Sequence, residues 1–290
     1  MQPATLRPVL SVQELTRAAL NGEYGPDPAT LLVSIAFATL QRSRHIERQI
    51  SYTNHYVSVR TGQSVGSCSF EAGEIDQAAI DACVGQPLAA LLEHPLLPIR
   101  IAGLDAYFAE VLPHEHAQQA RAAVVPAGSS VAKSLARARL VVDLLNPQPG
   151  QRIALIGVVN SLVQALRERG AVCLPCDYNV RFTEWGEPVA REMAEVLDAP
   201  DAILATGMTL ANGSFDALLA RARQLGVPLV LFAQTGSAVL PRFLGAGVSA
   251  VSAEPYPFFW VSGGPTTIYC YRATPPGSVV PNTEVVLPWN

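Results

Sequence analysis

The order of apolar and polar positions divides the chain into two unlike halves. From Gln151 onward, short apolar runs alternate with amphipathic stretches: Ile153 to Ile156 is closed by Gly157, and Ser161 to Arg169, ending at Gly170, has helical spacing. The run Ala171 to Cys176 stops at Asp177. A helix over Glu187 to Leu197, a run Ala202 to Ala205, a helix over Ser214 to Leu225, a run Pro228 to Phe232, a short helix near Ala238 to Leu244 and a run Val248 to Val251 continue the alternation. Strands that are apolar at every position are covered on both faces. The pattern therefore predicts a parallel, doubly wound, Rossmann-like α/β sheet, with Ile268 to Tyr271 as a last strand.

The first half has a different rhythm. Leu31 to Leu40 fits a strand or a buried helix, whereas Glu47 to Arg60 alternates as a strand with Ile50, Tyr52, Asn54 and Tyr56 on one face. Ser64 to Phe70 is its antiparallel partner across a turn at Thr61-Gly62. Helical patterns follow at Ile75 to Cys83, Pro87 to Glu93 and Pro98 to Leu112, which makes this half a small α+β domain. Val124 to Ser129 reads as a loop and Ser130 to Leu145 as a helix leading into the second half. The boundary is placed near residue 125, giving domains 1–125 and 126–290.

Composition narrows the partners. The 290 residues are 49% hydrophobic and 15% charged, enough for a sizeable core, and a net charge of −4 gives no general attraction to nucleic acid or anionic membrane. No apolar run approaches the roughly 20 residues that span a bilayer. Five irregularly spaced cysteines read as reduced thiols in a cytoplasmic protein. Of the 20 basic residues 19 are arginine, so Lys133 is the one lysine. A pyridoxal phosphate Schiff base would have to form there, on a linker helix with no phosphate-binding signature, and pyridoxal chemistry is set aside.

The ligand signals lie at the ends of the apolar runs. Gly157 ends the first strand just before a helix N-terminus, where backbone can approach a ligand and a negative group is favoured. The full G-x-G-x-x-G is absent, since Val159 and Ser161 replace the later glycines, which argues against a dinucleotide. Asp177, twenty residues beyond Gly157, stands where an acid holds the ribose of an adenosine cofactor, with Tyr178 and Asn179 beside it; the plain alternative is a residue that turns the chain. Thr206-Gly207-Met208-Thr209, Asn212 and Gln234 supply further polar loops on the same edge, and Ser262-Gly263-Gly264 is expected to close the rim. One glycine and this Asp suit S-adenosylmethionine better than a pyrophosphate cofactor. For proton transfer the candidates are Tyr52, His55 and Tyr56 on the hairpin, with Lys133 as a catalytic group or a clamp for a carboxylate.

Metal binding is weighed on the same residues. Cys173-Leu-Pro-Cys176 has a ligand-like spacing, but on a strand these positions face opposite sides, and His114-Glu115-His116 diverge on a helix. No metal ligand is assigned, and a metal and a homodimer both stay open.

The stretch Asp201-Ala-Ile-Leu-Ala-Thr-Gly-Met-Thr-Leu-Ala-Asn-Gly-Ser-Phe-Asp216, with Val84-Gly-Gln-Pro-Leu88 and Ile101-Ala-Gly-Leu-Asp-Ala106, resembles the heavy-metal-chelation family. That resemblance implies an enolase-N-terminal-like domain joined to a Rossmann-like domain, with a site in the cleft between them. The chain departs from the family's pattern at Gln234-Thr235-Gly236, where a Gly-Pro-Ser-type loop is usual, and at Asp105-Ala106, where an Asn-Ala pair is usual. Together these features predict an enzyme that uses S-adenosylmethionine on a small amino-acid-like molecule. The reaction is alkyl transfer or a lyase or cyclisation step releasing methylthioadenosine; the alternative is a non-catalytic binder of a metal or metal chelate.

Overall fold

In the computed structural model, which describes residues 8–45 and 50–273, the chain opens with α1 (Val12–Leu20). The Ser11 hydroxyl caps it by accepting the Glu14 amide at 3.1 Å. β1 (Val33–His45), β2 (Ile50–Thr61) and β3 (Ser64–Phe70) form an antiparallel three-stranded meander. The apolar run from Leu31 is thus mostly strand, not buried helix. Then come α2 (Gln77–Asp81), α3 (Leu88–Leu92) and α4 (Leu97–Val111). α4 is buried almost all round, from Pro98 to Phe108, because it lies between the small sheet and the second domain. Close packing fixes Gly66 of β3: a Cβ there would stand 2.0 Å from the Ala106 amide nitrogen.

The second domain comprises β4 (Ala120–Val125), α5 (Ser130–Leu145), β5 (Arg152–Ile156), α6 (Asn160–Glu168), β6 (Val172–Cys176), α7 (Met193–Val196), β7 (Ala202–Thr206), α8 (Met208–Ala211), α9 (Phe215–Leu225), β8 (Leu229–Ala233), β9 (Ala250–Ala253) and β10 (Thr266–Arg272). Its seven strands lie in the order β4-β10-β9-β8-β7-β5-β6. β6, β5, β7, β8 and β9 are mutually parallel, and β10 runs antiparallel to both β9 and β4. Helices α5 and α6 cover one face, where Val141, Val142, Leu162 and Leu166 pack with Leu155 and Leu204. α9 and the first domain cover the other, where Phe215 and Leu218 pack with Ile203 and Leu231.

The fold is the expected α/β one with a small antiparallel domain in front of it, but local readings differ. Helix Glu187 to Leu197 shrinks to α7, because Pro188 and Ala190 are drawn into bridges with Phe182 and Cys176 instead. Ala238 to Leu244 holds only a 3-10 turn, Leu240–Phe243, with Pro241 inside it. Val124 and Val125, read as loop, end β4, which precedes residue 126 yet pairs with β10 as the edge of the large sheet.

Buried hydrogen bonds lock the domains together. The buried Asp105 of α4 accepts the Ser67 amide at 2.9 Å and the Ala238 amide at 2.7 Å. Gly236 donates to the Ser67 carbonyl, and the Thr235 hydroxyl takes the Ser69 amide at 2.9 Å. β3 is thereby sewn to the loop after β8. Among the described residues no helix is long and apolar enough to cross a membrane, and all five cysteines are free thiols.

Candidate ligand site in the interdomain cleft

Counted from β5, the parallel strands run 2-1-3-4-5, so the strand order reverses between β5 and β7. This is the doubly wound order with one switch point, not the 3-2-1-4-5-6 of dinucleotide-binding sheets. A cavity of about 390 Å³ opens at that point. Gly157 ends β5 at φ +86°, where a Cβ would press to 2.4 Å on the Thr206 methyl, so glycine is required by backbone and neighbour alike. Five parallel strands deliver Gly157, Asp177, Thr206, Gln234 and Glu254 to one edge, and the first-domain hairpin roofs it with Asn54, His55 and Tyr56.

A polar chain runs along the back of the cavity. The Tyr56 hydroxyl donates to Gln234 Oε1 at 2.9 Å, which also accepts the Trp260 indole N–H at 3.1 Å. Gln234 Nε2 donates to Glu254 Oε2, and Glu254 Oε1 accepts Arg137 Nε at 2.7 Å. Arg137 and Glu254 are both buried, and the guanidinium lies 4.7 Å over the Phe232 ring and 5.6 Å over that of Phe259. On the neighbouring wall, the hydroxyls of Ser134 and Ser161 stand 2.9 Å apart. Phe232, Phe259 and Trp260 supply the aromatic surface, and Glu71 and Asp177 the carboxylates.

The expected site residues divide. Gly157, Asp177, Asn179, Thr206, Met208 and Gln234 line the cavity, as do His55 and Tyr56. Asp177 turns the chain as well as facing the pocket: Oδ1 accepts the amides of Asn179 and Val180, and Oδ2 that of Val158 at 2.8 Å. Tyr178 is 47% exposed and outside the lining. Gly207 backs on the Thr235 carbonyl, the Thr209 hydroxyl donates to the Thr206 carbonyl, and Asn212 holds Ser214 at the start of α9; none of these three reaches the cavity. Tyr52 lies on β2, with its side chain outside the described residues.

Two of the catalytic candidates have partners within the fold. Lys133 is buried and its ammonium donates to the Ser262 carbonyl at 2.8 Å, to the Gly264 carbonyl and to the Thr266 hydroxyl, so its three hydrogens hold the rim loop. Tyr56 donates its proton to Gln234, and burial beside Glu254 pushes the phenol well above its ordinary value, which removes it as a neutral-pH base. Among the hairpin candidates whose side chains are described, His55, half-buried beside Phe70, is left as the proton-transfer group. Arg137, Glu254, Ser134, Ser161 and Trp260 escaped the sequence reading. The one signal for Glu254 is that it lies three residues beyond the apolar run Val248 to Val251, at the carboxyl end of a strand.

The metal donors do not converge. Cys176 packs on the first-domain side of the sheet and Cys173 against the α5–α6 side. Burial raises the Cys173 thiol to about 12 and the Cys176 thiol to about 11. His114 is buried with Nδ1 2.7 Å from the Tyr271 hydroxyl and its ring stacked on Tyr269. Among the described residues no three His, Cys, Asp or Glu side chains gather to hold an ion.

The comparisons with known proteins meet this geometry from outside. The profile of the DUF364 family, described as "putative heavy-metal chelation", matches residues 140–253, a span that contains the Asp201 to Asp216 stretch. A structure of a DUF364 protein of unknown function from Desulfitobacterium hafniense DCB-2 has a TM-score of 0.58 at 14% identity, covering 91% of this chain and 100% of its own. Another of unknown function from Pyrococcus horikoshii reaches 0.48 at 16% identity, covering 82% and 84%. The first of these shows a shared fold. No curated protein matches the sequence.

Proposed function

We propose that this chain, similar to the DUF364 family over its second domain, is an enzyme that binds S-adenosylmethionine in the interdomain cleft and carries out chemistry on a small amino-acid-like molecule there. One observation carries the reading: a single cavity at the switch point combines an aromatic wall, two carboxylates and one buried arginine. A ligand that is aromatic at one end, cationic in the middle and zwitterionic at the other complements that set, and S-adenosylmethionine is such a ligand.

Size bears on the reaction. About 390 Å³ lies near the lower end of the roughly 300–1,000 Å³ of small-molecule sites, which leaves little room for an acceptor beside the bound sulfonium. One-substrate chemistry is favoured over alkyl transfer. The sulfonium activates the carbons attached to it; the chain's part is to orient the ligand, exclude water and take a proton. His55 faces the cavity as the group to accept that proton, while Asp177 fixes the glycine turn through the Val158 amide. Five free thiols suit a cytoplasmic location.

The rival reading, a binder of metal or metal chelate without turnover, draws on the family's description. Among the described residues the cysteines and histidines are dispersed and do not gather around a metal position. Calorimetry with S-adenosylmethionine, zinc and nickel in separate titrations tests the choice. Binding of the sulfonium is expected; its absence, together with micromolar metal binding lost in Cys176→Ala, overturns the proposal. Chromatography of the products then separates methylthioadenosine release from adenosylhomocysteine formation.

A further inference from the structure

Arg137 is the side chain whose chemistry the fold leaves incomplete. It is 5% exposed, and its Nε is committed to Glu254, itself fully buried. Among the described residues no acceptor reaches Nη1 or Nη2, neither is among the buried polar atoms without a partner, and Arg137 lines the cavity. A guanidinium anchored at Nε and held over two rings cannot swing away. It presents a rigid pair of charge-assisted donors, the geometry that reads a planar oxyanion.

A second feature points the same way. Ser134 precedes Arg137 by three residues on α5 and so shares its face. Its hydroxyl pairs with that of Ser161, in the first turn of α6, and both serines line the cavity. Two hydroxyls own two hydrogens and their mutual bond uses one, so one is left to donate inward. The N-cap of α6, Val159, supplies no side-chain hydrogen bond, and it lines the cavity with Ser161, so the positive end of the helix dipole lies at the same corner.

We infer that Arg137, Ser134 and Ser161 form a carboxylate-binding subsite that takes the acidic end of an amino-acid-like ligand. The inference rests on the cleft being a ligand site, as proposed above, but not on the ligand being a sulfonium. Charge decides between carboxylate and phosphate. Arg137 is already neutralised by Glu254, and Glu71 and Asp177 lie in the same cavity, so a monoanion adds one net charge where a phosphate would add nearly two. The unit charge is the better fit.

Binding to the unmodified protein tests this without any variant. S-Adenosylmethionine is compared with its decarboxylated form, and methionine with 3-(methylthio)propylamine, in parallel with inorganic phosphate, by calorimetry. The carboxylated member of each pair should bind roughly 10- to 100-fold more tightly, the scale of a charge-assisted pair. Arg137→Lys should erase most of that ratio. Ser161→Ala, which leaves the Arg137–Glu254 pair intact, should reduce it a few-fold, so the test survives if the lysine variant folds poorly. Equal binding within both pairs overturns the subsite even if S-adenosylmethionine binds. Preference for methionine over its amine with no sulfonium binding keeps the subsite and removes the adenosyl reading. Tighter binding of phosphate than of methionine overturns the choice of carboxylate, and no binding of either carboxylated probe overturns both proposals.

Discussion

Helix α5 carries two buried cations one turn apart that serve different regions of the molecule. Lys133 faces the rim loop before β10, where the Ser262 and Gly264 carbonyls and the Thr266 hydroxyl account for every hydrogen of its ammonium. Arg137 lines the cleft, where among the described residues one of its five N–H hydrogens has a protein acceptor. Burial and charge are alike in the two; what differs is whether the fold satisfies the group. Complete satisfaction marks a structural cation, and an unmet donor edge in a cavity marks one kept for a ligand.

The sharpest break in that comparison is expected from truncation. Lys133→Met leaves two carbonyls and a hydroxyl without their donor, at about 1–3 kcal/mol for each group that stays buried, so a stability loss of roughly 3–5 kcal/mol is expected in chemical denaturation. The ratio of binding between carboxylated and decarboxylated ligands should survive in the folded fraction. Arg137→Ala strands the Glu254 carboxylate and should cost a similar 3–5 kcal/mol, but here the ratio disappears. The double variant Arg137→Met with Glu254→Met should recover most of the stability and none of the discrimination. Recovery of both would show that Arg137 serves the core alone.

A second buried charge extends the comparison to the domain latch. Burial raises the Asp105 carboxyl from its ordinary 3.8 to about 7, against the pull of the amides that bond it. The folded protein then holds a proton that the unfolded chain has released. Stability from this group is complete below about pH 4 and declines as pH rises to 7, with a slope of at most about 1.4 kcal/mol per pH unit. His114 works in the opposite sense: burial lowers it from 6.5 to about 4, so its contribution is complete above pH 6.5 and is lost as pH falls towards 4. Between those limits the two slopes oppose each other in the whole protein. The difference between wild type and Asp105→Asn isolates the carboxyl: denaturation midpoints should converge as pH rises from 4 to 7. Parallel curves would mean that Asp105 is ionised throughout and that its amide bonds outweigh burial.

How much of this was written in the sequence follows from what each residue's neighbours are. β5, β7 and β8 are legible because strands covered on both faces must be apolar at every position, and Gly157 because a strand end before a helix needs a left-handed residue. β4 was not legible: Ala120-Arg-Ala-Ala-Val-Val is an edge strand of small residues, half exposed and followed by Pro126, and its pairing with β10 lies far along the chain. The helix over Glu187 to Leu197 had the right period, but bridges to Cys176 and Phe182 hold its first residues extended. Nothing on the helix over Ser130 to Leu145 singles out Arg137, whereas rarity draws attention to Lys133. Only the meeting of α5 with Glu254, 117 residues on, separates the two roles.

The smallest expected effect tests whether these two regions are independent. Ser129 caps α5 by accepting the Ala132 amide at 3.2 Å, and its neighbour Gly128 donates to the Gly263 carbonyl of the same loop that Lys133 holds. Ser129→Ala should cost about 1 kcal/mol, the usual value of an N-cap, and loosen the start of the helix on the Lys133 side. Arg137 lies more than two turns further in, clamped by Glu254 and two rings. Its fork should therefore keep its place, with the carboxylate preference unchanged while the denaturation midpoint falls. A preference that falls with stability would show that the rim loop and the cleft wall move as one body, and that Lys133 reaches the ligand through the helix it anchors.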